Sequence, residues 1–123
     1  MAATRVTTQR ENDTRLLDFV REKVDTFVKW ELVRFFHDNP YAADSAENIA
    51  RFAARDARTV EQDLQALVRS GVLESNVAGN GTTRLYRYVK DQQVRAMVQS
   101  FVIACDDRDF RVRAINQVIE GLQ

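Results

Sequence analysis

Thr59-Val60-Glu61-Gln62-Asp63-Leu64-Gln65-Ala66-Leu67-Val68-Arg69-Ser70-Gly71-Val72-Leu73 is the stretch whose reading decides the fold. Val60, Leu64, Leu67 and Val68 fall at i, i+4, i+7 and i+8, the one-face spacing of an amphipathic helix. Thr59 or a neighbour can cap its start, and Gly71 stands just past the last apolar position, where a left-handed residue closes a helix. Val72 to Val77 then reads as a strand. Ala78-Gly79-Asn80-Gly81 is turn chemistry, because glycine and asparagine tolerate positive φ. Thr82 to Val89, rich in β-branched and aromatic residues, is the returning strand.

Working outward toward the N-terminus, Asp44 followed by Glu47 resembles a capping box with Asp in place of Ser or Thr. Ile49, Ala50, Phe52 and Ala53 give the inward face of a short helix ending near Arg55, so two helices meet across very few residues and must turn sharply. Further back, Leu16, Phe19, Val20, Val24, Phe27, Val28, Leu32, Val33, Phe35 and Phe36 recur at helical spacing, until Pro40 disfavours helix at Asn39. Periodicity leaves open whether residues 13–36 form one helix or two; Thr26 is a possible cap for a second. Residues 1–12 are polar with isolated apolar side chains, and read as a mobile tail. Beyond the hairpin, Val94, Met97, Val98, Phe101, Val102 and Cys105, then Val112, Ile115, Ile119 and Leu122, give one bent helix or two, interrupted at Asp106-Asp107-Arg108-Asp109.

This order of elements, with Ile49-Ala50 at its usual distance before the Thr59 to Leu73 stretch, resembles the winged helix-turn-helix of bacterial MarR-, ArsR- and PadR-like transcriptional regulators. The resemblance covers about half the chain. It implies a mainly α fold with a small β-hairpin wing: a single domain over residues 13–123, with a core at about 26–90 and flanking helices at 13–25 and 91–123. It also implies a third helix lying in the major groove of DNA, with the wing on backbone or minor groove. Carried over, Arg58, Thr59, Gln62 and Asp63 would face the groove, Arg58 suited to guanine and Gln62 to adenine. Arg69, at the far end of that helix, is less suited to reach bases. Arg84 and Arg87 would meet phosphate, with Lys90 a weaker candidate. Glu61 and Asp63 on the same helix oppose phosphate, and the wing tip is uncharged, which keeps a protein-binding adaptor as the alternative function.

The 123 residues, 45% of them hydrophobic, suffice for one core. Eighteen basic residues balance eighteen acidic ones, so any affinity for nucleic acid must come from a local patch. The absence of a secretory apolar run near the N-terminus, of a membrane-length apolar segment and of a second cysteine leads to a cytoplasmic protein as the expectation. No enzyme, cofactor or metal is expected. The single His37 lies beside a helix end, Cys105 falls on an apolar stripe as a buried inert thiol, and no glycine-rich phosphate loop occurs. Tyr86 and Tyr88 alternate on a strand and read as core rather than as base-stacking platforms.

The flanking stripes carry more apolar side chains than a small winged core requires, and burial of each is worth roughly 1.5–3 kcal/mol. Two-fold pairing of subunits satisfies them. Leu16, Phe19, Val20, Val94, Met97, Phe101, Ile115 and Ile119 are the expected dimer interface, and the expected partner is duplex DNA with a pseudo-palindromic site.

Overall fold

The structure is a computed structural model that describes the backbone of residues 2–123 and the side chains from residue 9 onward. Six helices and three short strands follow one another: α1 (Ala2–Lys23), α2 (Phe27–Asp38), β1 (Ala43–Asp44), α3 (Ala46–Ala53), α4 (Ala57–Arg69), β2 (Leu73–Val77), β3 (Arg84–Tyr88), α5 (Gln92–Ala104) and α6 (Arg108–Gly121).

The residues expected as a mobile tail, apart from Met1, which lies outside the described residues, are the first turns of α1. The physical reason is cooperativity. Once the stripe from Leu16 to Val24 is packed, each further turn toward the N-terminus needs no new nucleus, and Gln9, Arg10 and Glu11 are good helix formers. The chain then breaks into two helices at Val24-Asp25-Thr26. Thr26 caps α2, its hydroxyl accepting from Lys29 N at 3.0 Å. The last segment is likewise two helices, broken where Asp107 caps α6.

Two caps lie elsewhere than the residue pattern suggests. Ser45, not Asp44, caps α3 by accepting from Asn48 N. Asp44 instead accepts from Ser45 N and from Asn48 Nδ2, both at 2.8 Å. For α4 the cap is Asp56, whose carboxylate takes the N–H and the hydroxyl of Thr59. In both, the capping side chain lies three residues before the N–H it accepts from.

α3 and α4 are joined by Ala54, Arg55 and Asp56. Ala54 adopts the left-handed conformation (φ 53°), and Arg55 N reaches back to Ala50 O, so the turn is closed by a helix-end motif built on alanine. At the other end of α4, Gly71 (φ 84°) and Val72 donate to Val68 O and Leu67 O, the paired bonds of a Schellman motif. β2 and β3 form an antiparallel hairpin in which Leu73 faces Tyr88 and Val77 faces Arg84. β1, a strand absent from the sequence reading, adds to the other edge of β3 with Ala43 opposite Arg87.

The core is one cluster. Val60, Leu64 and Leu67 of α4 meet Leu32, Val33 and Phe36 of α2, together with Ile49, Tyr86 and Tyr88. Both tyrosine rings are buried, as their alternation implies. α1 packs on α5 and α6. Ring contacts from Phe101 to Phe19 (5.8 Å), Trp30 (5.1 Å) and Phe110 (6.4 Å between centroids) join α1, α2, α5 and α6. The fold is a winged helix-turn-helix carried on flanking helices.

That packing shows how much of each expected dimer residue one chain already covers. Leu16, Phe19, Val20 and Phe101 are all buried within one chain, and Val94 and Met97 are half-buried beside them. The physical reason is that α1 folds back over α5 and α6 of its own chain, which satisfies most of both stripes without a second copy. Ile115 is half-buried and Ile119 is 41% exposed.

Candidate nucleic-acid interface

Helix α4 buries Val60, Leu64 and Leu67, which fixes what it shows to solvent. At about 100° per residue, the direction opposite that face carries Arg58, Gln62, Gln65 and Arg69, spaced i, i+4, i+7 and i+11 and falling within about 60° of arc. All four are exposed, and none has a hydrogen-bond partner or ion-pair partner among the described residues. The ridge is roughly 16 Å long. It holds two cations and two amides, with no carboxylate.

The two acids that counted against this helix are not on that line. Asp63 is half-buried on the α2 side, where its Oδ2 accepts from the Thr26 hydroxyl at 2.8 Å. This overturns Asp63 as a groove-facing residue: its register turns the side chain toward the α2 cap, where the hydroxyl satisfies it. Glu61 is exposed at the edge of the ridge, about 60° from Arg58. Thr59 is exposed, but its hydroxyl is donated to Asp56 at 3.2 Å. Gln65 was not among the expected contacts, and Arg69 was set aside as too far along the helix, yet both share this ridge. The signal was present in the sequence as the spacing from Arg58, which emerges once Val60, Leu64 and Leu67 are taken as the inward face.

Around the ridge, charge is already neutralised in one place. Arg55, next to the start of α4, makes two hydrogen bonds to the Glu31 carboxylate of α2 (2.6 and 3.1 Å), so it ties the turn to the core rather than standing free. Two further bonds hold α4 in place from the α1–α2 junction. Lys23 Nζ donates to Ser70 O at 2.9 Å, and Thr26 donates to Asp63 as above.

In the wing, Arg84 and Arg87 differ by an odd number of residues along β3, so they point to opposite faces of the hairpin. Arg84 Nη1 donates to Ser75 Oγ at 3.1 Å and Arg87 Nη2 to Asn76 Oδ1 at 2.6 Å. The tip is organised by Asn80, whose Oδ1 accepts from Thr82 N and Thr83 N, with Gly81 in positive φ.

Other candidates resolve more simply. His37 is half-buried and contacts Asp38 at 3.2 Å. Cys105 is buried, and burial pushes its thiol up to about 11. The described residues contain no helix long and apolar enough to cross a membrane.

No family model matches the chain, and no curated protein matches it in sequence. Solved structures do. A chain described as a possible transcriptional regulator of Methanosarcina mazei Go1 is similar with a TM-score of 0.53 and 17% identity over 80% of each chain. A variant of Staphylococcus aureus MepR bound to an oligodeoxyribonucleotide is similar with a TM-score of 0.59 and 14% identity, covering 99% of this chain and 97% of that one. A second MepR variant, from a multidrug-resistant clinical isolate, gives 0.59 and 12% over 99% and 96%. At these identities the likeness is one of fold, and its span includes the flanking helices as well as the winged core.

Proposed function

We propose that the chain is a cytoplasmic, non-enzymatic transcriptional regulator that binds duplex DNA as a homodimer. The observation that carries this reading is the carboxylate-free ridge of Arg58, Gln62, Gln65 and Arg69 on the outward face of the second helix of a helix-turn-helix. Such a ridge fits the major groove. Arg58 and Arg69 match the O6 and N7 acceptors of guanine or a phosphate oxygen, and the glutamine amides match the N6 donor and N7 acceptor of adenine. Arg84 and Arg87, from opposite faces of the wing, supply phosphate contacts that carry no sequence preference. In a two-fold dimer the α4 helices would enter successive major grooves, about 34 Å apart on a pseudo-palindromic site. The DNA bound by one MepR variant of the same fold is consistent with this reading. The rival reading, a winged adaptor for a basic protein, keeps Glu61 and the uncharged tip in its favour, but half-buried Asp63 is engaged by Thr26.

The test is titration of labelled genomic fragments at low and moderate salt. Binding should weaken as salt rises, because each phosphate neutralised releases a counterion. Arg58→Ala, Gln62→Ala and Gln65→Ala should each reduce discrimination between preferred and random sites by about 1–3 kcal/mol. Arg84→Ala and Arg87→Ala should weaken both alike. Affinity no better than that of an unrelated neutral protein, at every salt, would overturn the reading in favour of the adaptor.

A further inference from the structure

We propose that the notch at the base of the hairpin, between residues 40–43, the end of β3 and the first turn of α5, binds a small phosphate-bearing ligand with a flat ring, of the nucleoside monophosphate class. The proposal stands apart from the α4 ridge and does not depend on it. The notch is half open to solvent and holds about 450 Å³, within the usual size of a small-molecule site.

Its chemistry is one-sided. Arg87, Lys90 and Arg95 line it, and no acidic side chain does. Of the carboxylates nearby, Asp91 Oδ1 accepts from Gln93 N and Val94 N and Asp44 Oδ1 from Ser45 N and Asn48 Nδ2, while exposed Glu74 stands cross-strand from Arg87 outside the lining. Arg95 is the central observation. It is half-buried, its Nε is pinned to Val89 O at 2.6 Å, and its guanidinium carbon sits 4.5 Å above the centre of the Tyr88 ring. Its terminal nitrogens meet no acceptor among the described residues. A guanidinium held rigidly, partly desolvated and lacking an anion is prepared to donate two hydrogen bonds to one. Lys90, exposed and unpaired among the described residues, adds a second point charge, while Arg87, drawn toward Asn76, adds charge from the rim.

The ring requirement comes from Tyr41. Folding leaves this side chain 94% exposed, although it lines the notch, next to the rigid Pro40. A planar apolar surface left in water beside a cluster of cations suits a ligand that presents a ring to the tyrosine and an anion to Arg95 and Lys90.

Calorimetric titration of the full chain with adenosine 5′-monophosphate tests this, with inorganic phosphate and adenosine as separate arms and a duplex fragment as competitor. The nucleotide should bind at least tenfold more tightly than either part. Tyr41→Ala and Lys90→Gln, both changes to exposed side chains that leave the core intact, should each weaken it at least fivefold, while Tyr41→Ala leaves duplex binding unchanged. Arg95→Gln should abolish nucleotide binding, with circular dichroism confirming the fold. No nucleotide binding in the millimolar range, or binding indifferent to both Tyr41→Ala and Lys90→Gln, would overturn the proposal. So would competition by duplex with a matching loss of duplex affinity in Tyr41→Ala, which would assign the notch to the DNA surface. Failure of the α4 ridge to bind DNA would leave the nucleotide result standing.

Discussion

Among the described residues, Asp13 is the one charged side chain that is buried, and it joins two ends of the chain. Its Oδ2 accepts from Arg113 Nη2 at 2.6 Å and its Oδ1 from Gln9 Nε2 at 3.3 Å, so α1 and α6 are linked through a charge that water barely reaches. Removing the partner is therefore worse than a surface ion pair would suggest. Arg113→Ala should cost about 1–3 kcal/mol in urea unfolding, less than the loss of a fully buried pair because the guanidinium remains half exposed to solvent. Asp13→Asn should cost less, since the amide oxygen still accepts from Arg113. A change within about 0.5 kcal/mol for Arg113→Ala would show that the pair contributes no more than an exposed one. Cys105 makes a different statement about its surroundings. Burial raises its thiol from an ordinary 9.0 to about 11, with Asp106 adding and Arg34 and Arg111 opposing. Between those pH values the folded chain holds a proton that the unfolded chain releases, so stability falls as pH rises through the window. Cys105→Ala should remove that part of the decline in unfolding measured from pH 8 to 11.

At the scale of elements, the two helix ends that frame α4 are closed by the same conformation on different residues. Gly71 takes positive φ without cost, whereas Ala54 takes it against the clash of its own Cβ. Ala54→Gly should therefore stabilise the fold by about 0.5–1 kcal/mol, and Gly71→Ala should destabilise it by about 1 kcal/mol, although a Cβ at Gly71 would meet nothing within 4 Å. Gly79→Ala, also in open space and outside the positive-φ set, should be neutral. Thermal or urea unfolding of the three variants decides this, and a stabilising Gly71→Ala would refute the reading. The same pair shows what the residues made legible. A glycine after an apolar stripe marks a left-handed closure, so the end of α4 could be read; an alanine in that conformation carries no mark, so the turn after α3 could only be inferred from its shortness. β1 was illegible because two residues have no periodicity, and their strand exists only through register with β3. The α4 ridge was half legible. Arg58 and Gln62 stood out by residue type, but Gln65, Arg69 and the inward turn of Asp63 depend on which face the core claims. The flanking stripes announced burial without naming its partner, since spacing says that a face is covered and not what covers it.

For the whole molecule, the proposed dimer requires that two α4 helices be held at a fixed distance. Most of the apolar surface once available for a dimer is spent within one chain, yet α6 and its C-cap still show Val112, Ile119 and Leu122, 41–61% exposed, with Ile115 half-buried among them, at i, i+7, i+10 and i+3. Elsewhere on the same chain a groove of about 770 Å³ runs between α1 and α5, with Leu16, Met97 and Ile103 in its wall and Asn12, Gln93 and Ser100 at its rim. A stripe without a groove and a groove without a filling side chain are what a self-complementary interface leaves when one copy is considered alone. Position would then pass from the interface to α4 through named bonds: Asp13–Arg113 from α6 to α1, Lys23–Ser70 from α1 to the end of α4, and Thr26–Asp63 from the α2 cap to its middle. On this reading Ile119→Glu and Leu122→Glu, at exposed sites where a charge costs the monomer little, should convert a dimer to a monomer by light scattering without lowering helix content. The same variants should weaken DNA binding at least tenfold with the α4 ridge untouched, because two half-sites would no longer be engaged together. A wild-type chain that is monomeric at tens of micromolar, or variants that stay dimeric, would place the subunit contact elsewhere. Monomers that kept full affinity would mean that one ridge suffices and that the site need not be pseudo-palindromic.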